Sequence, residues 1–274
     1  MTTIGGGAQL DSEYVLGARE LVRTQSRIIV ALMLRDLKTR YFGTEFGFLI
    51  SIGWPLVHIL ILLAIHGGLG RVVPYGDNAA LWFATGIVPF MAFSYMSRFI
   101  LVGIVQNRPL LSFPKVKVTD LLFARAILET LSAGLVVIIL ITIFSIIGID
   151  VMPRDPIQAV AALGACMLLG LGAGVINSIV AVAVHMWASG YRLLVVVLYL
   201  TSGVYFVPHA LPETLRYFVW FNPLSHGIEW MRSAYYEGYG TEFISKPYIL
   251  GFGAFWLCAG LLLERAVRGR LLHQ

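Results

Sequence analysis

Six apolar stretches without a formal charge dominate this 274-residue chain, and they leave no room for a soluble domain. Phe46–Gly70, Asn78–Ser97, Thr130–Ile149, Pro156–Tyr191, Leu193–Pro212 and, more briefly, Pro247–Leu263 contain no Asp, Glu, Lys or Arg. A hydrocarbon layer about 30 Å thick takes roughly 20 apolar residues as a helix. Backbone polar groups in that layer must be satisfied within the segment, which selects helices for runs of this length. A 58% hydrophobic and 13% charged composition agrees, as does a mean hydropathy of +0.81. The expected fold is an all-α integral membrane protein with six transmembrane helices, at about 46–69, 79–104, 121–148, 157–184, 192–208 and 247–264.

The remaining segments divide the chain into a cytoplasmic N-terminal segment (1–25), an amphipathic interface helix (26–45), the transmembrane domain (46–264) and a cytoplasmic tail (265–274). No cleavable signal peptide is expected, because Met1–Glu20 carries Asp11 and Glu13 and lacks an apolar core. Cys166 and Cys258 both fall in expected spans, where they serve as small hydrophobes rather than a disulfide. The spacings CxxC, HExxH and Asp-x-Asp do not occur, and neither does GxxxxGK[ST]. The chain is therefore expected to carry no metal, no cofactor and no nucleotide site of its own.

Basic residues orient the spans. Fourteen of the 20 Lys and Arg fall on one side: before the first span, after the second, between the fourth and fifth, and after the sixth. The positive-inside rule places that side, with both termini, in the cytoplasm. These charges flank spans and form no patch, so nucleic acid is not an expected partner. Arg98 and Glu129 lie near cytoplasmic span ends, where snorkelling accounts for them. Trp54, Pro55 and His58 mark a kink in the first span.

Ser26–Phe42 is helical in pattern without being a span. Val30, Met33, Leu34, Leu37 and Tyr41 repeat at i, i+3, i+4 and i+7, with Arg35, Asp36 and Thr39 on other faces. Such a helix lies in the interface. It serves either as an anchor for the first span or as a rim that also touches a soluble partner, with Gly43 and Gly47 bending the chain inward.

Between the second and third spans, the loop 107–118 includes Arg108, Pro109, Leu110, Leu111, Ser112, Phe113, Pro114 and Lys115. Its prolines break the spanning helices and leave room for a short helix across the cytoplasmic face. Leu110, Leu111 and Phe113 are apolar for an exposed loop; they dip into the interface or fill a partner's pocket.

The region 208–240 departs from a plain hairpin. Tyr217–Ile228 is uncharged but too short to cross, and Asn222-Pro223 signals a turn and a helix cap. Two short helices dipping into the outer leaflet are expected, held by Glu229 and Arg232 at i, i+3 spacing, with His226 between them and the turn. Tyr199, Tyr205, Phe206, Trp220, Phe221, Trp230 and Tyr235 cluster toward the outer half. Aromatic rings suit both a membrane-interface belt and the C–H faces of sugars.

Two of these segments resemble a known family. Arg35-Asp36-Leu37-Lys38-Thr39-Arg40-Tyr41, followed by Gly47-Phe48-Leu49 and Trp54-Pro55-Leu56, resembles the opening motif of ABC-2-type permeases that export polysaccharides. Phe221 through Arg232 is similar to the re-entrant signature of capsular polysaccharide export subunits, and the likeness runs from about Arg23 to Arg265. It implies a homodimer of six-span subunits in the bacterial inner membrane, with two copies of a separate ATPase that binds ATP and Mg. Further implied partners are an inner-membrane co-polymerase, an outer-membrane channel and the polymer itself, free or lipid-linked. Arg35, Arg108, Leu110, Leu111, Phe113 and Lys115 become the expected ATPase-coupling residues. The seven aromatics become the expected substrate pathway, and Asn222, Pro223, His226, Glu229 and Arg232 the expected re-entrant scaffold. The capsule and O-antigen members of the family are less securely separated by these motifs. A drug or lipid permease of the same class is the nearest alternative. A membrane-embedded glycosyltransferase or acyltransferase would need an acid/base pair that the chain does not show.

Overall fold

The computed structural model describes residues 18–39, 47–68, 73–113 and 115–273. All its regular elements are helical: α1 (Ala18–Thr39), α2 (Gly47–Gly68), α3 (Ala79–Leu101), α4 (Gly103–Gln106), α5 (Val118–Ile147), α6 (Pro156–Ala183), α7 (Trp187–Thr201), α8 (Glu213–Trp220), α9 (Pro223–Tyr235) and α10 (Lys246–His273). Two short 3-10 turns, Arg108–Ser112 and Pro208–Ala210, complete the set. The N-terminal segment before Ala18, the expected bend at Gly43, and Pro114 lie outside the described residues.

Among the described residues, four helices are long and apolar enough to cross a bilayer: α3, α5, α6 and Lys246–Gly269 of α10. Ile52–His66 of α2 and all of α7 form shorter apolar helices. α7 differs from the expected span at 192–208, since it starts at Trp187 and stops at Thr201. Its 15 residues reach only about 22 Å. At its start the Trp187 indole N–H donates to Asn177 Oδ1 of α6 at 2.7 Å. Beyond its end the chain turns through Gly203 at φ 80° and bends on to Phe206. α1 likewise starts ahead of the expected Ser26, and α10 runs past the expected end at 264.

Local chemistry explains the helix starts. Asn78 accepts from the Leu81 N–H and Asp155 from the Ile157 and Gln158 N–H groups, with Pro156 at the first turn of α6. Asp120 accepts from the Lys117 N–H at 3.0 Å, closing the start of α5.

α6 is the central helix, packed by α3, α9 and α10. Its buried face is built from small residues, Ala159, Ala162, Ala165, Cys166, Gly170 and Ala173, so neighbouring backbones come close. A Cβ on Gly170 would sit 2.7 Å from the Phe93 carbonyl of α3, and one on Gly172 would sit 2.8 Å from the Gly253 carbonyl of α10. Both faces of α6 are thus sealed against backbone. α5 and α10, by contrast, leave apolar side chains such as Ile138, Ile146, Phe255 and Leu262 exposed, as helices facing lipid do.

This packing makes a paired prediction. Gly170→Val should lower the thermal stability of the detergent-purified chain severely, because the added atoms meet a backbone carbonyl that cannot step aside. Gly164→Val, where nothing lies within 4 Å of the new Cβ, should leave the melting curve nearly unchanged. Equal melting of the two variants would contradict the central role of α6.

Candidate functional site

The two ends of the helical bundle carry different polar arrangements, joined by the length of α3. One end bears α1 and the turn Arg108–Ser112; the other bears α8, α9 and the Gly203–Phe206 turn.

At the first end, α1 packs on α5. Leu32 is buried with Leu121 and Ala124, and Ile28, Ile29 and Met33 pack around them. The packed face only partly overlaps the one expected from periodicity: Met33 of that face packs, but Val30 and Leu34 are exposed, and Asp36 is buried. The Asp36 carboxylate accepts from Arg125 Nε at 2.9 Å. The same guanidinium donates to the Phe99 carbonyl at 2.7 Å and to Gln106 Oε1 at 2.9 Å. Arg35, beside Asp36, donates to Asn107 Oδ1, and the Asn107 amide donates to the Gly103 carbonyl at 2.9 Å. Gln25 of α1 donates to Asp120 at the start of α5.

The six expected coupling residues separate into two groups. Leu110 and Leu111 turn inward, half-buried against α1 and α5. Arg35 is turned toward Asn107 and Asp36. Phe113 stands 59% exposed, flanked by exposed Arg108 and Lys115. The outward set thus presents one aromatic ring between two cations.

Between α2, α3 and the start of α7 lies an open cleft of about 950 Å³ whose lining includes Trp54, His58, Tyr95, Arg98, Tyr191 and Arg192. His58 Nδ1 lies 3.0 Å from the Tyr95 hydroxyl. Trp54 is among the exposed large hydrophobics.

At the far end, Arg232 and Glu229 are both fully buried and paired at 3.0 Å. Arg232 also donates to the carbonyls of Gly203 at 2.7 Å, Phe206 at 3.1 Å and Val204 at 2.8 Å. Its Cζ lies 4.0 Å from the centroid of Trp82 on α3. Glu229 accepts a second bond from the Tyr239 hydroxyl at 2.7 Å. Burial pushes the Glu229 carboxyl above its ordinary range, with Arg232 and the Tyr239 hydroxyl pulling the other way.

The neighbouring residues complete a scaffold. Asn222 caps α9 by accepting from the Leu224 N–H at 3.1 Å while donating to Ser202 at 2.9 Å, and Pro223 occupies the first turn. Nδ1 of His226 accepts from the Ser245 N–H at 3.1 Å, so its proton sits on Nε2 and is donated to the Trp220 carbonyl at 2.8 Å. Burial holds His226 below its ordinary value, consistent with that neutral tautomer.

The seven expected pathway aromatics do not share one lining. Tyr199 and Tyr205 meet at 5.1 Å near the end of α7, and half-buried Phe206 follows in the turn. Trp220 and Phe221 sit together at the end of α8, where Trp220 stacks on Tyr248 at 5.1 Å. Trp230 is buried and donates to Gln158 at 2.7 Å. Tyr235 borders an apolar cavity of about 260 Å³ between α3, α5 and α6. Sequence reasoning missed Asp36, Arg125, Trp82 and Tyr239. An acidic residue inside a basic, apolar helix was the available sign of Asp36.

The helical unit thus bears a basic-flanked turn at one end and, at the other, a short helix, α9, that carries a buried ion pair of its own. Residues 27–236 match the family described as ABC-2 type transporter, and the chain belongs to that family. It is 31% identical over 90% of its length to the polysialic acid transport protein KpsM of Escherichia coli, covering 96% of that protein. It is 28% identical over 88% of its length to the capsule polysaccharide export inner-membrane protein CtrC of Neisseria meningitidis serogroup A, covering 91% of it. The inner-membrane protein BexB of Haemophilus influenzae, also of capsule polysaccharide export, is 26% identical over 90% of this chain and 93% of its own.

The Arg232 cluster makes a stability prediction. Arg232→Met strands a buried carboxylate and three backbone carbonyls, and should cost about 3–5 kcal/mol. Glu229→Gln takes the counter-charge from Arg232 but leaves its three carbonyl acceptors and an amide oxygen in place, and should cost less. Thermal unfolding of the purified variants in detergent checks the order; the reverse order would show that the carbonyl contacts carry little.

Proposed function

We propose that this chain is the membrane-spanning permease subunit of an ATP-driven exporter that moves capsular polysaccharide from the cytoplasm to the periplasm. The observation that carries the reading is the likeness to KpsM, which takes in nearly the whole of both chains and not one motif. In this reading α2, α3, α5, α6, α7 and α10 are the six spans in the bacterial inner membrane, with both termini in the cytoplasm. The pair α8–α9 is re-entrant from the periplasmic side. Two copies form a homodimer, each docked to a separately encoded ATPase that binds ATP and Mg, and the assembly works with a co-polymerase and an outer-membrane channel.

The physical division of labour follows from the substrate. A heavily hydroxylated polymer cannot cross hydrocarbon unaided and needs a protein-lined route. The cleft beside Trp54, Tyr95 and Tyr191, open on the monomer, supplies one wall of such a route, and a second copy would supply the other. Tyr199, Tyr205, Trp220 and Phe221 continue it outward, with rings able to face sugar C–H surfaces. Force enters through Phe113, Arg108 and Lys115, the outward residues of the turn at the cytoplasmic end.

Deleting the gene in its native host tests the whole reading. Polymer of high molecular weight should accumulate in the cytoplasmic fraction while synthesis continues. Unchanged polymer at the cell surface, with no redundant exporter present, would defeat the assignment. A narrower test is Phe113→Asp, which should abolish surface polymer while leaving the permease dimer assembled on native gels. Normal export by that variant would remove Phe113 from the ATPase contact.

A further inference from the structure

α3 does not run unbroken into the exposed turn. It ends at Leu101, Val102 lies between, and the four-residue α4 leads on to Asn107 and the 3-10 turn Arg108–Ser112. The helix is interrupted for one residue, Val102 at φ −83° and ψ −2°, and a push on the turn that bent the chain there would be lost before it reached the spanning helix.

Arg125 of α5 spans that interruption from the side. Its guanidinium holds the Phe99 carbonyl on the α3 side of the break and the Gln106 side chain on the turn side. Its aliphatic stem lies over Gly103, where an added Cβ would meet Arg125 Cδ at 3.4 Å. Asp36 of α1 binds the third edge of the same guanidinium. Arg125 and Asp36 are 4% and 6% exposed, so water does little to loosen the pair. One residue earlier on α1, Arg35 holds Asn107, the first residue after α4. Consecutive residues of α1 therefore grip both the splint and the turn it splints.

We infer that Asp36 and Arg125 are positioning residues for energy coupling: they make α1, the turn 107–113, the end of α3 and the start of α5 move as one rigid lever. This rests on the reading of the turn as the ATPase contact, and goes beyond it by assigning transmission to residues that touch neither ATPase nor polymer. A fixed, bidentate-capable guanidinium suits the task better than a lysine, whose single ammonium cannot hold three acceptors in one plane. α1 is then part of the lever as well as an anchor at the interface.

The test uses the full complex of permease and ATPase. Asp36→Asn keeps an acceptor oxygen for Arg125 but removes the charge, and Arg125→Lys keeps the charge but loses the fork. Both should copurify with the ATPase and hydrolyse ATP near the parental rate, while polymer exported per ATP falls about tenfold. Unchanged export per ATP in both would overturn the inference. Should either variant fail to accumulate, the lever is tested in a background carrying Cys166→Ala and Cys258→Ser by placing cysteines at Arg35 and Asn107 and bridging them with a short bis-methanethiosulfonate, which forms a reducible disulfide at each cysteine. A single rigid body keeps exporting when bridged; arrest on bridging, relieved by reductant, would show relative motion and overturn the inference. Phe113→Asp separates the two levels. If that variant exports normally, the ATPase contact lies elsewhere and the underlying reading fails. If it does not export while Asp36→Asn and Arg125→Lys export at full efficiency, only the lever fails.

Discussion

The fold depends on one constraint: backbone carbonyls and amides in apolar surroundings must find partners within the protein. Helices satisfy it along their length, and the interesting residues are those that satisfy it where helices stop. At the end of α7, Arg232 takes up the carbonyls of Gly203, Val204 and Phe206. At the end of α3, Arg125 takes up the carbonyl of Phe99, and Asn107 that of Gly103. Each arginine needs a counter-charge once buried, and each has an acid: Glu229 for Arg232 and Asp36 for Arg125. The two ends of the bundle thus solve the same problem with the same chemistry.

The core explains why the problem is confined to the ends. α6 brings α3 and α10 within backbone contact through its small residues, and such packing leaves little freedom to slide. α7 is held more lightly, and it flanks the open cleft together with α2. A firm block of α3, α6, α9 and α10 beside a lightly attached α7 is a division suited to a transporter that must open a route without unfolding. Asn222 and His226 tie α9 to the chain on either side of it, so the block includes the turn after α7.

Much of this was legible in the order of residues. The long uncharged runs, the proline-bounded turn and the Asn222-Pro223 cap depend on local chemistry, and local chemistry is what a sequence displays. The face of α1 was not legible, because both of its long sides are apolar: Ile28, Ile29 and Leu32 compete with Val30, Leu34 and Leu37. Periodicity alone cannot rank two such stripes, and the choice is made by Arg125, which lies 89 residues from Asp36. The end of α7 was hidden for a like reason, since its turn is held by an arginine 29 residues beyond Gly203. The aromatic residues were found as a group but not as a surface, because their common composition says nothing of which helix face each occupies.

Arg232 reads the turn after α7 through peptide oxygens, and every amino acid supplies the same oxygen. The half-buried side chain of Phe206 can therefore drift over evolutionary time while the path of the chain stays put, whereas Val204 is held by the core it is buried in. The freedom does not extend to Gly86, where an added Cβ would come within 3.0 Å of the Arg232 guanidinium. Among relatives of this chain, the shape of the turn should outlast most of its spelling, and the letters that persist should be Gly203, at φ 80°, and those that hold the turn from outside.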